Sequence, residues 1–178
     1  MHDKNFSVDM KLTDGANWLV VGEGVFSWSV FRFYRARLMS ASGRFDPELP
    51  YRLEITYLRR LSGSQISQVT GAEMKRLAQA GVASCVKIPL NTIDTWVKKL
   101  EQFLPDVSLS DQLVGVFQPA QGVWFFDAEH ALGHIAEPSF VQAFTAIWLD
   151  PQTRAPKLRG DLLKLADNGN TQFSRASS

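Results

Sequence analysis

The chain has a single cysteine, Cys85. That excludes an intramolecular disulfide and any cysteine-based metal cluster. Charge of neither sign is in excess: 19 Lys and Arg stand against 18 Asp and Glu, a net of +1. The overall balance therefore makes no case for a nucleic-acid partner or an acidic membrane surface. No run approaches the ~20 apolar residues that a membrane span needs. There is no P-loop, no dinucleotide fingerprint and no Gly-x-Ser-x-Gly elbow, and no cofactor is implied. The opening, MHDKNFSVDMK, is polar and lacks the apolar core of a signal peptide. It reads as cytoplasmic, or as periplasmic if a leader has been removed.

Aromatic residues are plentiful, at 11% of the chain with 12 Phe and 5 Trp. That favours a densely filled core or an apolar cavity. At 178 residues, 45% hydrophobic and 21% charged, the chain fits one domain with a sizeable core. We expect that domain over 1–166, followed by a polar tail, DNGNTQFSRASS, over 167–178.

The stretch 26–39, FSWSVFRFYRARLM, reads as one central strand covered on both faces. Trp28, Val30, Arg32 and Tyr34 share a face in steps of two. Arg32 lies between apolar neighbours, so it must be ion-paired, reach water or anchor a ligand. The GEG at 22–24 reads as the turn before this strand. Residues 51–59 alternate most clearly, with Tyr51, Leu53, Ile55 and Tyr57 on one side. Residues 62–80 predict a helix with Ser62 or Ser64 as N-cap and a buried stripe of Ile66, Val69, Met74, Leu77 and Ala78. Gly71 weakens its middle. Residues 92–104 predict a second helix, capped by Asn91 or Thr92, with Ile93, Trp96, Val97, Leu100, Phe103 and Leu104 on one face. A hairpin follows at 112–118 and 122–127, then a short strand at 131–135 and helices from Pro138 and over 157–165. The first residues add an apolar cluster around Phe6 to Met10. This order predicts an α+β domain with helices laid on one antiparallel sheet.

Chemically the residues are reticent. His130 and His134 are four apart, which leaves open a haem or metal site, although further ligands are not evident. Cys85 lies in the strand-like ASCVKIP and reads as a small buried hydrophobe.

A resemblance adds what the residues alone do not. The block 133–163, GHIAEPSFVQAFTAIWLDPQTRAPKLRGDLL, is similar to the end of the bacterial chalcone isomerase-like proteins. Phe31, Arg32, Phe33, Tyr34, Ala36 and Leu38 resemble that family's central strand, and LEITYLRRLSGSQI (53–66) its strand-into-helix passage. PDVSLSDQL (105–113) and PAQGVWFF (119–126) resemble its later hairpin region. In order and spacing the likeness covers residues 17–165. It implies an open-faced β-sandwich: a large antiparallel sheet covered on one side by a layer of helices, with a ligand cleft between them. Plant enzymes of this family close a chalcone to a flavanone with an arginine, a threonine, a tyrosine and an asparagine. Here those positions fall on Phe26, Tyr34, Ile66 and Glu73. None matches, and loss of the anion-stabilising arginine alone would remove several kcal/mol of transition-state binding. The resemblance therefore implies a non-catalytic member that binds a small apolar or amphipathic, fatty-acid-like molecule. Phe26, Trp28, Tyr34, Ile66 and Glu73 would line the site, with Arg32 or Arg59 meeting a carboxylate. A lyase or isomerase with rearranged residues, using Tyr34, Arg32 and Glu73, is the alternative.

Overall fold

The computed structural model describes residues 17–165. Six antiparallel strands form one sheet in chain order: β1 (Leu19–Trp28), β2 (Phe31–Ser40), β3 (Tyr51–Tyr57), β4 (Gln112–Gln118), β5 (Gly122–Phe126) and β6 (Ala131–Ile135). Helices α1 (Gly63–Gln79) and α2 (Leu90–Phe103) come between β3 and β4. Helices α3 (Pro138–Leu149) and α4 (Pro156–Leu163) follow β6. The helices lie on one face of an open sheet, as the α+β open-faced β-sandwich requires. The expected polar tail and the cluster at Phe6 to Met10 lie outside the described residues.

The inward faces follow the alternation. Tyr51, Leu53, Ile55 and Tyr57 of β3 are all buried, as are Ala36 and Leu38 of β2. Against them pack Met74, Leu77, Ile93, Trp96, Leu100, Phe140, Phe144, Leu158 and Leu162 from the helices. A smaller apolar cluster, Val114, Val116 and Phe126 with Trp18 and Trp124 against it, forms on the outer face.

The stretch 26–39 is not one central strand. It is the end of β1, a reversal at Ser29 and Val30, and most of β2, at the edge of the sheet. Ser29 takes the left-handed φ of 55° that a tight hairpin turn demands. No Gly or Asn marks this turn, and apolar residues flank it on both sides, so the sequence pattern runs through it unbroken. Nor are residues 22–24 a turn. They lie inside β1, where a Cβ on Gly22 would collide with the carbonyl oxygens of Asp161 and Leu162. A Cβ on Gly24 would sit 2.8 Å from the Asp161 side chain. The glycines let the backbone of α4 rest directly on β1.

Helix α1 opens on a capping box between Ser62 and Gln65. Its buried face is Gly63, Ser67, Gly71, Met74 and Leu77. Of the expected stripe, Met74 and Leu77 are buried, Ile66 and Ala78 are partly buried against the core, and Val69 is 64% exposed. Gly71 is there for contact: a Cβ would strike Val97 of α2. Helix α2 buries Ile93, Trp96, Val97 and Leu100 as its period predicts, but Pro89 is its N-cap and no side chain caps it. Cys85 is buried, though in a run of turns and not a strand. Gly22→Ala is expected to cost about 1–3 kcal/mol or more, because rigid backbone must move. Urea unfolding checks this; an unchanged midpoint would show that α4 does not rest on β1.

Candidate ligand cleft

Inward aromatic residues of neighbouring strands line up at one end of the sheet. Phe26 of β1 pairs with Tyr34 of β2, which pairs with Tyr57 of β3. Their rings stand 5.2 and 6.2 Å apart, centroid to centroid. Such pairs contribute about 0.5–1.5 kcal/mol beyond area burial, so the row is a rigid floor. Helix α1 overhangs it with Ile66, Val69, Thr70 and Glu73, and α3 with Ile147 and Trp148. The α3–α4 loop closes the side with Thr153, Arg154 and Ala155. Between floor and roof is a cavity of about 320 Å³. A smaller void of about 60 Å³ shares Ile55, Tyr57, Ile66, Thr70 and Trp148 with it and continues toward Leu100, Leu113 and Phe144. Both are lined chiefly by apolar side chains, and the smaller lies on the core side of the shared wall.

The polar groups of the wall are mostly committed. Trp148 Nε1 donates to the Tyr34 hydroxyl at 3.0 Å. Thr70 and Thr153 donate to the backbone oxygens of Ile66 and Ile147, at 2.8 and 2.6 Å. Burial pushes the Tyr34 phenol up to about 12; the Trp148 bond opposes this and the Glu73 carboxylate adds to it. Burial pushes Tyr57 up as well, with Tyr34 adding. Both phenols are therefore neutral at neutral pH. At the mouth, one Glu73 oxygen meets Arg76 at 3.1 Å and the other meets Arg154 at 2.8 Å. Two guanidiniums thus face one carboxylate, and the Arg154 guanidinium also lies 5.9 Å from the Trp28 ring centre.

The structure brings Phe26, Trp28, Tyr34, Ile66 and Glu73 around this one cavity. Four of these are the positions to which the resemblance carries the plant enzymes' polar residues. Arg32 and Arg59 are not on its wall; both side chains are exposed at the β1–β2 hairpin and just beyond β3. The expectation for Arg32 assumed one strand with one parity. The irregularity between Phe26 and Ser27 leaves Phe33 as an extra residue between Tyr34 and Arg32 in β2, which breaks the alternation there. Arg32, Tyr34 and Glu73 thus do not form the group that a rearranged lyase would use. The cation at the mouth is instead Arg154, in the loop DPQTRAP, which carried no periodic signal. His134 stacks on Trp124 at 3.8 Å on the outer face, and His130 sits in the turn with Asp127. Among the described residues, no group of three or more His, Cys, Asp or Glu could hold a metal ion.

No family model matches the sequence. An uncharacterised protein of Haemophilus influenzae is 29% identical over 151 residues, covering 83% of this chain and 69% of that protein. A fatty-acid binding protein of Arabidopsis thaliana superposes with a TM-score of 0.62, over 84% of this chain and 88% of that one. The two share one fold. At 6% sequence identity the likeness reaches no further than architecture. Among the described residues, no helix is long and apolar enough to cross a membrane.

The chain holds three tyrosines, and burial raises all of them; Tyr51, whose hydroxyl bonds to that of Thr145, goes up to about 12. An unfolded phenol ionises near 10. The folded state therefore keeps protons that the unfolded state loses, so this contribution is intact below about pH 10 and falls as pH rises from there. Absorbance titration should show no phenolate step near pH 10, and all three tyrosines ionising on alkaline unfolding. A native-state step at pH 10 would mean an exposed phenol.

Proposed function

We propose that this chain is a chalcone isomerase-like binding protein that takes a small apolar or amphipathic, fatty-acid-like molecule into the cleft. One observation carries the reading: the cavity between sheet and helices is walled chiefly by apolar side chains, and a second apolar void shares its inner wall at Tyr57, Ile66 and Trp148. At about 320 Å³ the outer cavity is at the small end of ligand pockets, which run from about 300 Å³ upward. Each methylene buried there contributes about 0.8 kcal/mol, against an association cost of about 4–15 kcal/mol. A chain of several methylenes is thus needed before binding is measurable. Arg154 supplies the positive charge that a carboxylate head group at the mouth would meet, in place of Arg32 or Arg59. Binding and not turnover fits the wall, since the Glu73 oxygens are both paired and the phenols hold their protons.

Thermal-shift titration with saturated fatty acids tests this. Affinity should rise by about 0.8 kcal/mol per methylene and level off once the cavity is full. Ile66→Trp, which fills the junction of cavity and void, should abolish the shift while the protein still melts cooperatively. Arg154→Ala should narrow the preference for a carboxylate over the alcohol of equal length. No stabilisation at any chain length, or binding indifferent to Ile66→Trp, would sink the reading.

A further inference from the structure

The β1–β2 hairpin runs past the end of its neighbour. Tyr34 and Tyr57 are the last pair between β2 and β3, yet β2 begins at Phe31 and the turn lies at Ser29 and Val30. The projecting tip is apolar and bare: Trp28 is 53% exposed, Val30 85% and Phe31 58%. Side chains of this size are normally folded inward, and a contiguous exposed set marks an interaction surface. Around the tip are guanidiniums. Arg32 and Arg59 have no carboxylate partner among the described residues, and Arg59 lies over the rings of Phe31 and Phe33, 5.5 and 4.9 Å from their centres. Arg154, on the other side of Trp28, belongs to the cleft mouth.

We propose that this tip docks on an anionic phospholipid bilayer. A protruding Trp-x-Val-Phe edge inserts among acyl chains and head groups, where Trp and Phe are at home. The flanking arginines meet lipid phosphates, each cation near the surface adding to the attraction. The shape selects the partner: a convex tip fits a deformable bilayer, whereas a protein would need a matching socket. Docked in this way, the hairpin would hold the cleft mouth, which Trp28 borders, against the lipid. The chain's net charge of +1 is an overall sum and does not reveal a local cluster of arginines. The proposal shares only Trp28 with the ligand reading, so the test substitutes Val30 and Arg32, which are off the cavity wall.

Co-sedimentation with phosphatidylcholine vesicles, with and without phosphatidylserine, decides it. The full chain should bind the anionic vesicles and lose binding as salt rises. Val30→Asp and Arg32→Glu, both off the cavity wall, should each weaken binding by about ten-fold or more with the melting temperature and fatty-acid shifts unchanged. Binding of wild type to neither vesicle would overturn the proposal, as would variants that bind like wild type. A dimer in lipid-free buffer that Val30→Asp dissociates would also overturn it, because the tip would then be an interface between two copies of the chain.

Discussion

The backbone of α4 rests on β1 with no side chain between them at Gly22, and much of the architecture depends on that contact. It joins the last helix to the first strand, so the helical layer reaches the edge of the sheet. It also anchors the loop that carries Thr153, Arg154 and Ala155 into the cleft wall. On the other side, Gly63, Ser67 and Gly71 make a small-residue face that brings α1 against α2. Helix α1 is thereby held toward α2, and the space between α1 and the α3–α4 loop is left as a cleft. Two close approaches, each set by missing side chains, define where the layer opens.

What fills the rest of the layer is aromatic as well. Over β4–β6 the rings of Phe117, Phe125, Phe140 and Phe144 stack and tilt against one another at 5.0–6.3 Å. Trp96 closes this cluster from α2 and donates its indole N–H to Glu137 at 2.9 Å. Over β1–β3 the aromatic side chains form a floor, and the facing residues of α1, Ile66, Val69 and Thr70, are too short to meet it. The high aromatic content thus serves both a filled core and the cavity. The polar features, a ring of paired charges at the mouth and neutral phenols within, suit holding an apolar molecule and offer little for moving protons.

Legibility in the sequence followed distance along the chain. The inward row of β3 and the stripe of α2 were plain, because periods of 2.0 and 3.6 are local properties. The hairpin at 28–31 was hidden: a turn without Gly or Asn, flanked by exposed aromatics, imitates a buried strand. Arg32 is misplaced for a different reason: an extra residue in β2, Phe33, breaks the alternation between it and Tyr34, and no local pattern marks such a bulge. Gly71 and the glycines of β1 look like weakness or turn in the sequence because the neighbour that requires them is far away along the chain. Arg154 gave no signal at all from a loop that obeys no period.

The sequence by itself determined the kinds and order of the elements from β3 onward, the faces of β3 and α2, and the apolar, aromatic character of whatever interior there would be. Only the tertiary structure decided that Phe26, Tyr34, Ile66 and Glu73 meet around one cavity, that Arg154 and not Arg32 stands at its mouth, and that the hairpin tip stays bare. The reason is physical: side-chain alternation is set by backbone geometry within a segment. Strand register and helix docking, in contrast, are set by contacts between segments that no local pattern encodes.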